Sequence, residues 1–318
     1  MPRRMNFSIG RRGLPRVLYD CEYQEMMSTA LIVPVKNGGP RWHRVVASIQ
    51  EQTLRPQRVV VIDSGSTDDS DAVAKTAGFE LHAIAPTCFD HGGTRQMAVE
   101  MVPECEIVIF LTQDAVLEGP DTLEQLVSAL RAYPQAGVAY GRQLPRAEAD
   151  PIERHARLFN YPERAAEKSL KDIQRLGIKT AFSSNSFAAY RRRMLLQAGG
   201  FPQNCAMGED MIAAARILLQ GGTVIYAAQA RVIHSHGFTV AEEARRYYNI
   251  GRMHAQQHPL LARFQSPASE GQRFVRSELA FLLRQAPWRI PEALLRTVTK
   301  YGAYRWGKRS APVMEQIG

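Results

Sequence analysis

The chain of 318 residues has little cysteine and no long apolar run. Its four cysteines, Cys21, Cys88, Cys105 and Cys205, are scattered, with no Cys-x-x-Cys pair. A disulfide framework and a structural zinc module are therefore excluded, and a reducing compartment is expected. Apolar stretches such as residues 30–35 and 107–111 are strand-sized, well short of the ~20 residues of a helical membrane span. Two phosphate-binding loops are also missing. No Gly-x-Gly-x-x-Gly follows the first strand pattern and no Gly-x4-Gly-Lys-Ser/Thr occurs, so neither the usual dinucleotide dehydrogenase nor a P-loop triphosphatase is supported. Acidic side chains fall short of basic ones, 31 against 40, and the net charge of +9 implies an anionic partner. Nucleic acid, a phosphorylated small molecule and an acidic membrane surface all satisfy that charge.

The 45% of apolar residues can fill a substantial core. Residues 1–27 carry Arg3, Arg4, Arg11, Arg12 and Arg16 without the apolar centre of a secretory signal, and are expected to form a flexible basic arm. From residue 28 to about 240, strand patterns alternate with helical ones. Strands are predicted at 31–35, 59–62, 81–85, 107–111, 137–140, 181–190, 223–226 and 231–236. Helices are predicted through Val45, Val46 and Ile49, over 73–77 with Ser66 or Asp68 as cap, at 97–101, over 122–132 and over 212–219. Such alternation implies right-handed βαβ units and a mostly parallel sheet flanked by helices. Residues 142–179, charged and punctuated by proline, read as an excursion of loops and short helices. Beyond residue 240 the pattern is helical, rich in arginine and aromatics, and residues 241–318 are expected to form a C-terminal helical region.

The polar residues at the strand ends carry the chemistry. Residues 107–111 are a β-branched apolar run that stops on Thr112-Gln113-Asp114, so Asp114 is expected at the C-terminal edge of the sheet, where α/β proteins bind ligands. Asp63 ends the second strand. Glu209 and Asp210 precede a helix, and His234 and His236 close the last strand pattern. The two histidines are read as pointing to opposite faces, so that at most one serves the site. The stretch His91-Gly92-Gly93-Thr94-Arg95 reads as a glycine-bearing turn. Carboxylates and imidazole near glycine-rich backbone suit a hard divalent cation and a diphosphate. Each acid also has an ordinary use: Asp63 can bond the amides of its own loop, and Glu209 and Asp210 can favour a helix N-terminus.

Taken in order, Val61-Ile-Asp-Ser-Gly-Ser-Thr-Asp68, Thr112-Gln-Asp114, Gly208-Glu-Asp210 and His234-Ser-His236 resemble the family 2 glycosyltransferases of the GT-A fold. Phe89-Asp-His-Gly-Gly-Thr-Arg95 is similar to their bacterial rhamnosyltransferase-like branch. The resemblance covers roughly residues 29–240, with a further likeness in the tail Lys300-Tyr-Gly-Ala-Tyr-Arg-Trp-Gly307. It implies a nucleotide-sugar donor, with dTDP-rhamnose favoured, bound by Val33, Pro34, Val35, Asp63, Ser64, His91, Gly92, Arg95 and Gln113. Arg95 would face phosphate. It also implies Mg²⁺ or Mn²⁺ on Asp114 and His236, with Asp210, or Glu209 beside it, as the base of an inverting transfer to a saccharide or lipid-linked acceptor. Thr112 stands where a second metal-binding acid is usual. The basic, aromatic C-terminal region suits an anionic leaflet, placing the protein on the inner face of the cell membrane with no role for nucleic acid. Two alternatives stand beside this reading, a sugar-1-phosphate nucleotidyltransferase and a non-catalytic basic module that binds membrane or nucleic acid.

Overall fold

The computed structural model describes residues 28–205, 207–264 and 268–311. The basic arm expected over residues 1–27 lies outside them.

The chain begins with β1 (Thr29–Val35), α1 (Gly39–Gln50), β2 (Arg58–Asp63), α2 (Ser70–Thr76), β3 (Glu80–Ala83), α3 (His91–Glu100) and β4 (Ile107–Leu111). The glycine-bearing stretch after Asp90 is the first turn of α3 rather than a free turn. The Asp90 carboxylate accepts from Gly93 N at 2.6 Å, satisfying one of the unpaired amides that every helix start presents. Next come β5 (Val116–Leu117), α4 (Thr122–Arg131), β6 (Ala136–Leu144), α5 (Pro151–Asn160), β7 (Ala166–Lys168), α6 (Ile173–Leu176), β8 (Phe187–Arg191), α7 (Arg192–Gln197) and α8 (Glu209–Leu219). The strand patterns at 223–226 and 231–236 merge into one strand, β9 (Thr223–Ile233), which ends just before His234. Helices follow: α9 (Val240–Gln256), α10 (His258–Leu261), α11 (Ala268–Gln285) and α12 (Ile290–Ser310).

One nine-stranded sheet runs β3-β2-β1-β4-β8-β6-β9-β5, with β7 also on β9. Pairing is parallel from β3 to β4, as the βαβ pattern predicts, and becomes mixed where β8 enters antiparallel between β4 and β6. β6 and β9 are again parallel. In consequence β1, β2, β4, β6 and β9 all finish at one edge, and the start of antiparallel β8 returns to that same edge. Six chain segments thus deliver their terminal residues to one place.

Alternate residues of the central strands feed two cores. Leu31, Val33, Ile107 and Ile109 pack with Trp42 of α1 and Leu123 of α4, while Ile32, Val108 and Phe110 pack with Ala98 of α3 and Ile212 of α8. β4 is buried at all five positions, which explains its uninterrupted apolar run. Truncating Phe110, a fully buried ring, to alanine would cost about 3–5 kcal/mol. The C-terminal helices dock on α5, where Ile152 packs with Leu282, Ala286 and Ala293. α9 and α12 approach closely at two glycines. A Cβ on Gly251 would lie 2.2 Å from Tyr304 O, and one on Gly307 would lie 1.9 Å from Tyr248 O.

Candidate active site

Asp114 follows β4, and both histidines reach it. Nε2 of His234 lies 3.4 Å from Asp114 Oδ1, and Nε2 of His236 lies 3.6 Å from Oδ2. The expectation that at most one histidine serves the site is corrected. Residues two apart in an extended chain share a side, and it is Ser235 that turns away, its Oγ accepting from Arg146 N at 3.1 Å. The candidate ligand atoms of Asp114, His234 and His236 lie within 4.8 Å of one another.

A side chain on β6 orients this group. Gln143 Oε1 accepts from Arg157 Nη1 at 2.7 Å and lies 2.9 Å from His234 Nδ1, while its Nε2 donates to Ser184 Oγ at 2.9 Å. The oxygen can only accept, so Nδ1 of His234 carries the proton and Nε2 presents a lone pair. Burial holds His234 below the ordinary imidazole value, and burial, with the adjacent His234 ring second, brings His236 down to about 4. A bare nitrogen therefore faces a carboxylate oxygen, an arrangement that repels unless a cation lies between them. Two neutral imidazoles and one carboxylate fit a divalent metal, for which a second nitrogen would make up for the acid that Thr112 does not offer.

Glu209 and Asp210 open α8 with different surroundings. Glu209 Oε1 lies 3.1 Å from Arg95 Nη1 and accepts from Asn185 Nδ2 at 3.1 Å, and the residue is only 5% exposed. Burial opposes its charge, but Arg95 outweighs burial and holds Glu209 below its usual value. Asp210, half-buried, accepts from Asn185 N at 3.2 Å and from Met211 N at 2.7 Å. Burial first, and the Glu209 charge second, raise it well above the usual carboxylate range. Neighbouring acids are thus driven apart, one fixed as an anion and the other poised to take a proton.

The residues expected at the donor are divided in use. Arg95, expected beside phosphate, is 5% exposed, paired with Glu209 and donates to His91 O at 2.9 Å. Gly92 is a packing glycine: a Cβ there would stand 1.7 Å from Pro202 O. Asp63 Oδ2 accepts from Gly65 N and Ser66 N, both at 3.0 Å, so it shapes its own loop. Ser64 is buried, its Oγ on Val35 O at 3.2 Å. Gln113 clamps the Lys36 backbone from both sides, accepting from N at 2.6 Å and donating to O at 3.0 Å. Val33 and Val35 point into the core, which leaves Pro34 on the opposite face, half-buried. Burial lowers the His91 imidazole at the head of α3. Of the caps expected, Asp68 does meet the helix start, its Oδ1 accepting from Ser70 N at 3.1 Å, while its Oδ2 accepts from Gly39 N and Ser66 Oγ accepts from Asn37 N, stitching the loop after β1 to the loop after β2.

Residues 30–198 match the family model "Glycosyl transferase family 2". The chain belongs to this family. This glycosyltransferase is 44% identical to the O-antigen chain rhamnosyltransferase WbaN of Salmonella anatum and 43% identical to RfbN of Salmonella typhimurium, each over 89% of the chain and 90% of the relative. In fold it is similar to a mannosyltransferase of Pyrobaculum calidifontis solved with GDP-mannose and Mn²⁺, at a TM-score of 0.57 and 20% identity over 88% of this chain and 83% of that one. It is also similar to the glucosyl-3-phosphoglycerate synthase of Mycobacterium tuberculosis solved with Mn²⁺ and UDP-glucose, at a TM-score of 0.52 and 18% identity over 75% and 80%. The GT-A-type α/β fold with C-terminal helices is thereby shown. Family membership sets aside the nucleotidyltransferase and the non-catalytic module.

Gln143 and Asn185 were assigned no role from the sequence, and of the two histidines only His236 was carried to the metal. Gln143 left a trace, a polar residue 2% exposed within a strand, but its burial is a property of the fold. Asn185 stood within the predicted strand 181–190 without a role. His234 was within reach had the two-residue period been applied to it.

Proposed function

We propose that this glycosyltransferase transfers rhamnose from dTDP-rhamnose, with inversion, to a hydroxyl of a saccharide or lipid-linked acceptor in assembly of a bacterial surface polysaccharide. The two rhamnosyltransferase relatives support the sugar and the pathway class. The observation that carries the chemistry is the shared sheet edge, where Asp114, His234 and His236 gather and where Asn185, next to β4 through Thr112 N on Ser186 O at 3.2 Å, holds Glu209 and Asp210.

Asp210 is the base in this reading. Oε1 of Glu209 is taken by both Arg95 and Asn185, whereas Asp210 is raised toward the acidity at which a carboxylate removes a proton efficiently. Two backbone amides fix its orientation, so it receives the acceptor hydroxyl's proton as that oxygen attacks the anomeric carbon from the face opposite the leaving diphosphate. No covalent enzyme intermediate is needed. Asp114, His234 and His236 would hold a divalent ion, Mn²⁺ in preference to Mg²⁺ because two donors are nitrogens. When bound, such an ion neutralises charge on a departing diphosphate.

Catalysis in this reading belongs to residues 28–240, and the helical region 241–318 brings the enzyme to an anionic membrane. No helix among the described residues is long and apolar enough to cross a bilayer. Along α12, Leu294, Leu295, Val298 and Tyr301 form an exposed stripe, flanked by Trp288 and Trp306 at 74% and 68% exposure and by Arg305, Lys308 and Arg309. Interfacial aromatics, aliphatic side chains and cations on one helix suit a leaflet of acidic lipids. Not every arginine serves that face, since Arg296 turns inward to Glu243 at 3.0 Å.

Thermal stabilisation by a panel of dTDP-, UDP- and GDP-sugars in the presence of Mn²⁺ tests the donor. dTDP-rhamnose is expected to raise the melting temperature most, and a larger shift with a UDP- or GDP-sugar would overturn the rhamnosyl assignment.

A further inference from the structure

With Arg95 committed to Glu209, the diphosphate needs other cations. A cavity of about 220 Å³ opens beside His236, walled by α5, the stretch after β9, and α9, α11 and α12. Its acids are mostly accounted for. Glu153 pairs with Arg146 at 3.1 Å, Asp150 with Arg289 at 3.0 Å, and Glu243 with Arg296 at 3.0 Å and Lys300 at 3.7 Å. Glu278, 1% exposed, is pushed up to about 7 by burial and is largely neutral in mildly acidic solution. Arg157 and Arg246 line the same cavity, and among the described residues neither has a carboxylate partner within 4.0 Å.

Each of these arginines is joined to one histidine of the metal group through a single intervening side chain. Arg157 Nη1 donates to Gln143 Oε1, the same oxygen that faces His234 Nδ1. The Arg246 guanidinium lies 5.8 Å from the centre of the Phe238 ring, which in turn stacks on His236 at 5.0 Å and 27°. Two guanidiniums that line one cavity with no carboxylate among the described residues within salt-bridge distance are free to take an anion, and a diphosphate offers the forked oxygens that guanidinium binds.

We propose that Arg157 and Arg246 form a clamp for a diphosphate in the cavity beside His236. Its chemistry is shared by two sources, the nucleoside diphosphate of the donor and the diphosphate of a lipid-linked acceptor. The first would lie between the clamp and the metal group. The second would enter from the side of the C-terminal helices. The clamp rests on the proposed transfer reaction and gives it the cations that Arg95 does not supply.

Calorimetric titration of the full chain with dTDP and, separately, with farnesyl diphosphate, both with Mn²⁺ present, tests the clamp. Arg157→Gln and Arg246→Gln are each expected to weaken one ligand by roughly 10- to 100-fold, the loss of a charge-assisted hydrogen bond. Weaker dTDP binding assigns the clamp to the donor, and weaker farnesyl diphosphate binding assigns it to the acceptor. Arg246 is exposed, so Arg246→Gln should fold even if Arg157→Gln does not. Unchanged affinity of Arg246→Gln for both ligands, with dTDP bound tightly by the wild type, overturns the clamp and leaves the transfer reaction standing. A wild type that binds neither diphosphate overturns both.

Discussion

Arg95 Nη1 lies 3.1 Å from Glu209 Oε1, with both side chains less than 10% exposed. This contact sorts the paired acids of α8, because it consumes the charge of Glu209 and leaves Asp210 as the titrating group. Breaking one half of a buried pair strands the other charge, so Arg95→Met should destabilise the fold by about 3–5 kcal/mol. Urea unfolding checks this, and Arg95→Met with Glu209→Gln together should recover much of the loss.

Asp210→Asn should lower kcat by about 10²- to 10⁴-fold, the usual worth of a general base, while calorimetry shows dTDP binding unchanged. With Asp210 as the proposed base, wild-type activity requires its ionised form. Because burial and Glu209 raise its pKa, activity should fall as pH drops through a value near neutrality, not near the ordinary ~4 of an aspartate. A pH profile of kcat with the acid limb near 4 would count against the assignment.

The histidine pair and its support make a separate prediction. Gln143→Leu removes the acceptor that sets the His234 tautomer, and metal affinity should fall about 10- to 100-fold. His234→Ala and His236→Ala should each weaken Mn²⁺ binding, read by calorimetry or by the Mn²⁺ resonance signal. An unaffected His234→Ala would return the metal site to Asp114 and His236 alone.

For the membrane face, Leu294→Gln with Val298→Gln should reduce flotation with vesicles containing acidic phospholipid, and the wild-type flotation should weaken with added salt. Equal flotation of the variant and the wild type would argue that α12 is not the contact.

What could be read from the chain alone follows the physics of each element. The β4 boundaries and the position of Asp114 were legible because a strand buried on both faces is an unbroken apolar run that must stop where polarity begins. The C-terminal helices were legible from period and composition. The start of α3 was not, since glycines at 92 and 93 suggest a turn and only the Asp90 cap makes them helical. Partners across the fold were the least legible. Nothing local tells Arg95 to choose Glu209 over phosphate, Gln113 to grip the Lys36 backbone, or Gln143 to support His234, because each pairing joins elements far apart in sequence, the helices α3 and α8 in the first and the neighbouring strands β1 and β4 or β6 and β9 in the others.

The most direct test of the whole account is transfer itself. Purified enzyme with Mn²⁺ and dTDP-rhamnose is added to membranes bearing lipid-linked saccharides, and the product is examined by NMR at the new anomeric centre. Release of dTDP, a rhamnosyl product of configuration opposite to the donor, and loss of both in Asp210→Asn are expected. A product of retained configuration, or undiminished transfer by Asp210→Asn, would contradict it.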